Sequence, residues 1–97
     1  MKQAYMIVRL NIYETEWVEE YLDKVPPILR SFGGEYLFTS QTFKRLEGDD
    51  ILPDHITVFT FPSIEKIEEF MNCDSYQPYK DARIAHSTAS IFAVEAG

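Results

Sequence analysis

The chain has 97 residues, of which 45% are hydrophobic and 14% aromatic, and its 16 acidic against 9 basic side chains give a net charge of −7. That length suits one domain, residues 1–97, whose single core buries about 60% of the unfolded chain's surface; the apolar share excludes a disordered chain, and no apolar run approaches the roughly 18 residues of a membrane span. The acidic balance repels phosphate backbones and anionic lipid headgroups, so neither nucleic acid nor membrane is expected as a partner.

The opening stretch MKQAYMIVRLNIYETEW reads as a strand and not as a secretory leader, because Arg9 and Asn11 interrupt its apolar character and no small-residue cleavage site follows. Within it Ala4, Met6, Val8, Leu10 and Ile12 share the core face, while Tyr5, Ile7, Arg9, Asn11 and Tyr13 share the other. From Thr15, the expected N-cap, apolar residues recur at Trp17, Val18, Tyr21, Leu22, Val25, Ile28, Leu29 and Phe32 with the three-and-four spacing of a helical stripe. Pro26 and Pro27 interrupt this stripe without shifting its phase. Each lacks an N–H and crowds the preceding turn, which predicts a break or sharp kink near residues 24–26 with both halves still facing one sheet. Gly33 and Gly34 then stop the helix, one of them in the left-handed conformation.

Residues 35–41 predict a second strand and the polar stretch GDDILPD, residues 48–54, a turn region. HITVFTF, residues 55–61, is rich in β-branched and aromatic side chains and predicts a third strand. Ser63 is the expected cap of a second helix with Ile64, Ile67, Phe70 and Met71 inward, ending at Asn72 and Cys73. A further helical piece is expected from a cap at Asp74, with Pro78 in its first turn, and residues 88–95 close the chain as a fourth strand.

The order strand, helix, strand, strand, helix in two pieces, strand is that of an α+β, ferredoxin-like βαββαβ fold with an antiparallel four-stranded sheet and its helices on one face. The other face, carrying Tyr5 and Ile7, is left bare. An apolar patch of that size is unusual on a monomer, and a homodimer with two sheets face to face would cover it.

The strings VPPILRSFGGEYL, LEGD, FPS and YQPYKDAR, in this order and together with the strand AYMIVRLNI, resemble the family of small proteins grouped as domain of unknown function 1330, within the dimeric α+β-barrel superfamily. The resemblance implies ferredoxin-like subunits pairing into a barrel-like dimer; it implies no particular reaction. Related members of that superfamily include cofactor-free monooxygenases, haem-binding or haem-degrading enzymes, isomerases and binding modules. Two positions depart from the pattern: Thr60 stands where many relatives carry an acid, and Tyr79 where leucine is usual.

Among candidate functional residues, Arg9 shares its strand face with Tyr5 and Asn11. An arginine between two sheets needs a partner, either a bound carboxylate or enolate oriented with help from Tyr5 and Asn11, or a structural acid such as Glu47 or Glu95. His86, at the end of the last helix, is either a general base or haem ligand, or a cation stabilised by the helix C-terminus. Tyr76 and Arg83 lie seven residues apart on one helical face and are expected at the cleft mouth or in the dimer contact. His55 is expected as a solvated edge residue.

Cys73 is the one cysteine, has no basic sequence neighbour to activate it and cannot form a disulfide within the chain. With His55 and His86 the sole imidazoles, no Cys/His cluster at metal spacing exists, so no metal or other cofactor is expected and a reducing cytoplasm is the expected compartment. The leading expectation is a cytoplasmic homodimer that binds a small organic molecule in an inter-sheet cleft. The alternatives are a cofactor-free monooxygenase or isomerase and a purely structural or interaction dimer.

Overall fold

In the computed structural model, which describes residues 3–97, the alternating stretches pair into a single sheet. Strands β1 (Ala4–Ile12), β2 (Glu35–Ser40), β3 (His55–Phe61) and β4 (Ser87–Glu95) lie in the order β2-β3-β1-β4, with every neighbouring pair antiparallel. Helices α1 (Val18–Ser31), α2 (Ile64–Asn72) and α3 (Gln77–His86) complete the βαββαβ order, the second helical crossover being in two pieces. The molecule measures 37 × 36 × 17 Å. Its shortest dimension holds one sheet and one helical layer.

Register decides which side chains share a face. Ala4, Met6 and Val8 of β1 stand opposite Phe61, Phe59 and Thr57 of β3 and opposite Glu95, Ala93 and Ile91 of β4. On the helical side Ala4, Met6, Val8 and Phe61 join Val25 and Leu29 of α1, Ile67 and Phe70 of α2, and Tyr76 in one buried core. Each helix presents only a stripe to it. The intervening glutamates of α2, Glu65, Glu68 and Glu69, are exposed, as the apolar periodicity requires.

Two helix ends follow directly from local sequence. Ser63 accepts a hydrogen bond from the Lys66 N–H at 3.3 Å and so caps α2. At the end of α1 the Gly33 N–H donates to the Arg30 carbonyl at 2.9 Å and the Gly34 N–H to the Leu29 carbonyl at 3.0 Å, with Gly33 at φ +82°. This paired reversal satisfies carbonyls the helix leaves open, and it needs glycine at the left-handed position. Gly34 is required for space: a Cβ there would stand 2.6 Å from Leu29 Cδ2 and 2.7 Å from Phe61 Cζ.

Four expectations are corrected. First, α1 runs unbroken through Pro26 and Pro27. The carbonyls that lose their partners belong to Leu22 and Asp23, both exposed, where solvent can replace the missing N–H groups, while Val25 and Leu29 anchor the following turns in the core. Second, the helix begins at Val18, with Thr15 contributing its backbone carbonyl to the Val18 N–H at 3.0 Å and no side-chain cap. Third, Asp74 likewise offers only a carbonyl, to the Gln77 N–H at 3.2 Å, and α3 starts after Tyr76. Fourth, His55 is no edge residue: β3 lies between β2 and β1, and the His55 Nδ1 is buried without a hydrogen-bond partner.

Candidate functional site

The sheet face turned away from the helices is built by the residues that alternate with the core. Tyr5, Ile7, Arg9 and Asn11 of β1 stand opposite Thr60, Val58 and Ile56 of β3 and opposite Val94, Phe92, Ser90 and Thr88 of β4, with Phe38 of β2 beside Val58. Val58 is only 7% exposed, shielded by its neighbours on this face, whereas Phe38, Phe92 and Val94 are each nearly half exposed. Thus the centre of the sheet presents an aliphatic and aromatic surface that no element among the described residues covers.

At one end of this surface the chain folds back. An Arg9 Nη2 hydrogen donates to the Ile51 carbonyl at 3.0 Å, and the Asn11 side-chain oxygen accepts from the Asp54 N–H at 2.8 Å. Together they hold the 41–54 connection against the sheet. Arg45 organises the same connection through its donation to the carbonyls of Gly48, at 2.8 Å, and Asp50. Arg9 forms no ion pair among the described residues, so the acids Glu47 and Glu95 that sequence offered as structural partners do not fill that role. Its partner is instead a backbone carbonyl 42 residues away, a contact with no sequence signature. The connection leaves Leu46 88% and Ile51 87% exposed.

His86 belongs to a different group. Its Nδ1 lies 2.8 Å from Glu14 Oε1, and its carbonyl accepts from the Tyr13 N–H at 3.0 Å, which fastens the end of α3 to the segment leaving β1. The Tyr13 and Thr88 hydroxyls are hydrogen-bonded to each other nearby. The pair Glu14–His86 is a carboxylate–imidazole couple with a partly exposed ring, an arrangement that fixes the imidazole's orientation. Glu14 carried no sequence signal beyond its charge.

Tyr76 and Arg83 are at neither a cleft mouth nor a surface contact; both are buried, at 1% and 6% exposure. The reason is the approach of α1 to α3: Tyr76 stacks on Phe70 at 4.4 Å and bonds through its hydroxyl to the Tyr21 hydroxyl at 2.6 Å. Burial pushes the Tyr21 hydroxyl's pKa far above the ordinary tyrosine value, the Tyr76 hydroxyl adds to that, and the neighbouring Arg83 guanidinium pulls the other way. Beside this group, Trp17, Glu20, Tyr21, Pro78, Tyr79 and Ala82 line a half-open cleft of about 210 Å³ between the helices.

Comparison with known proteins places this geometry. The family model "Domain of unknown function (DUF1330)" matches residues 3–97. The chain belongs to DUF1330. No curated protein matches it in sequence. Among solved structures, this DUF1330 chain is similar to a protein of unknown function from Rhodopseudomonas palustris, with a TM-score of 0.81 at 17% identity over 99% of this chain and 83% of that one. It is also similar to SnoaB, a cofactor-independent oxygenase from Streptomyces nogalater, with a TM-score of 0.70 at 11% identity over 100% of this chain and 95% of the other. A dimeric ferredoxin-like protein of unknown function from Jannaschia sp. CCS1 gives 0.69 at 12% identity over 97% and 99% of the two chains. At these identities the likeness is one of fold, and function has to be argued from the residues of the DUF1330 chain itself. No helix among its described residues is long and apolar enough to cross a membrane.

Proposed function

We propose that this DUF1330 chain pairs with a second copy through the open sheet face and that the space enclosed between the two sheets holds a small organic molecule. The observation that carries the reading is the apolar face itself: Ile7, Val58, Phe38, Phe92 and Val94 line it with no covering element among the described residues, and burial of such side chains is the principal driving force of association. The exposed Leu46 and Ile51 extend that surface along the 41–54 connection. The dimeric Jannaschia protein of the same fold supports the pairing. Tyr5, with the remaining N–H donors of Arg9, gives the enclosed space directional polar groups on a largely apolar lining, the usual composition of a small-molecule site.

Native mass spectrometry of gently purified protein tests both halves at once. The expected spectrum is a dimer carrying a discrete additional mass that Arg9→Ala removes, and Phe92→Asp, which places a charge on the face, gives monomers. A monomeric wild-type protein refutes the pairing; a bare dimer refutes the retained molecule.

The Glu14–His86 couple favours a second reading, in which the protein is a cofactor-free oxygenase or isomerase that uses His86 for proton transfer. SnoaB shows that this fold accommodates such chemistry in another protein. A panel of enolisable and aromatic substrates with product detection tests it: turnover lost in His86→Gln with unchanged melting supports the reading, and turnover retained in that variant refutes it.

A further inference from the structure

Three of the residues that line the cleft between α1 and α3 are aromatic, Trp17, Tyr21 and Tyr79, and the one charged group among the lining residues is the carboxylate of Glu20. The Trp17 and Tyr21 rings meet edge to face, with centroids 5.3 Å apart and planes at 90°. They form a corner, to which Tyr79 adds a third ring from α3. The polar groups of the corner are engaged elsewhere. The Trp17 Nε1–H donates to the Glu14 carbonyl at 2.6 Å, and the Tyr21 hydroxyl is bonded to that of Tyr76 at 2.6 Å. These bonds fix both rings and leave the cleft their π-systems, whose faces are electron-rich.

No basic residue lines the cleft. Lys24 is paired with Asp23 at 3.5 Å, the Lys80 Nζ donates to the Met71 carbonyl at 3.2 Å, and Arg83 is buried outside the lining. Glu20 itself forms no ion pair among the described residues. Both helices begin at the cleft, and a helix N-terminus favours anions through its open N–H groups. Those of α3 are already used: the Gln77 N–H donates to the Asp74 carbonyl at 3.2 Å and the Tyr79 N–H to the Tyr76 carbonyl at 3.0 Å, while Pro78 has none. In α1 the first turn carries Glu19 and Glu20, which offset its dipole. Ring faces and a carboxylate therefore set the sign of the cleft, in a chain whose net charge is −7.

We propose that this cleft binds a small methylated ammonium ion, its methyl groups against the rings of Trp17, Tyr21 and Tyr79 and its charge balanced by Glu20. A cation over an aromatic face is attracted by the ring quadrupole, and several rings around one ion add their contributions. Methylation follows from the walls: with the Trp17 and Tyr21 polar groups engaged, an N–H brought into the cleft gives up its water for few acceptors, whereas a fully methylated nitrogen has no N–H to lose. The volume of about 210 Å³ lies below the ~300 Å³ at which pockets for drug-sized ligands begin, so it suits an ion of this size. The ion is free in solution and not a lipid headgroup, whose phosphate would meet Glu20 and the acidic surface. This site is separate from the inter-sheet space and does not depend on pairing.

Trp17 is the one tryptophan of the chain and lies in the cleft wall, so its fluorescence reports occupancy directly. At constant ionic strength the protein is titrated with choline, with the uncharged tert-butyl isostere of choline, and with ethanolamine, which keeps the charge but carries N–H groups. Choline is expected to saturate, and to bind about tenfold more tightly than either analogue, the factor of a largely desolvated cation–π contact. Tyr79→Leu removes one ring while keeping the Trp17 reporter and is expected to weaken choline binding several-fold. Glu20→Gln, at an exposed position, should weaken it by about two- to fivefold. Ala82→Phe fills the cleft from its lining and is expected to abolish the response while the far-ultraviolet circular dichroism stays native. Vesicles of phosphatidylcholine should not co-sediment the protein. The proposal is overturned if choline shows no saturation at millimolar concentration, if the isostere or ethanolamine binds as tightly, if folded Tyr79→Leu or Ala82→Phe responds like the wild type, or if the vesicles carry the protein down.

Discussion

The hydroxyl pair Tyr21–Tyr76 permits a prediction whose size follows from geometry. Replacing either tyrosine by phenylalanine keeps its ring, so the stack of residue 76 on Phe70 at 4.4 Å survives and only a bond of 2.6 Å is lost. The two losses are unequal. In Tyr21→Phe the hydroxyl of Tyr76, on a residue 1% exposed, keeps no partner and bears its full desolvation cost, about 2 kcal/mol. In Tyr76→Phe the Tyr21 hydroxyl still lies beside Arg83 and lines a half-open cleft, so about 1 kcal/mol is expected. The second substitution removes the orphaned hydroxyl together with its desolvation cost, so the double variant should lose no more than the milder single one, about 1 kcal/mol, with a coupling energy of about 2 kcal/mol. Urea unfolding followed by far-ultraviolet circular dichroism, at one fixed protein concentration because association would shift the midpoint, measures all four proteins. At this chain length each kcal/mol also moves the melting temperature by about 4–8 °C. Additive losses, or a larger loss for Tyr76→Phe than for Tyr21→Phe, refute the argument.

The same hydroxyl predicts the alkaline limit of stability. Because the Tyr21 pKa is raised in the folded protein, the native state keeps a proton that the unfolded chain releases near pH 10; stability is therefore fully present below about pH 10 and falls as pH rises beyond it. Equilibrium unfolding between neutral and strongly alkaline pH should show this slope, with a shallower one in Tyr21→Phe. Gly34→Ala, which sets a Cβ 2.6 Å from Leu29 Cδ2, is expected to cost about 1–3 kcal/mol by overpacking, read from thermal melts. Ser63→Ala removes the cap of α2 and should cost about 1 kcal/mol. Arg9→Ala releases the Ile51 carbonyl, and limited proteolysis should then cut within residues 41–54 faster than in the wild type; an unchanged rate would mean that Asn11 alone holds the connection.

Sequence was most informative where one residue determines a local geometry. Strand β3 occupies residues 55–61 as its β-branched and aromatic content predicts, Ser63 caps α2, and Gly33 takes the left-handed turn. The order of elements, and with it the bare sheet face, follows from periodicity and connection lengths alone. What escaped the reading depends on residues distant in the chain. Arg9 is satisfied by a carbonyl from residue 51, His86 by a carboxylate from residue 14, and Tyr76 by a hydroxyl from residue 21. Each of these partners is one polar group among many that could have served, so no pattern within a window reveals it. The placement of Tyr76 and Arg83 failed for a related reason: their shared helical face was legible, but which element packs against that face is a tertiary fact.

The proline pair has a consequence on the other side of the folding equilibrium. By interrupting the internal ladder of α1, Pro26 and Pro27 weaken the helix as an isolated segment, yet their rings also remove backbone freedom from the denatured chain and hold φ near the helical value before anything has packed. Helix α1 is thus a poor autonomous helix with a reduced entropic cost of docking. Its continuity is conferred by Tyr21 on one side of the prolines and by Val25 and Leu29 around them, so a substitution that loosens those contacts should melt the helix together with its packing.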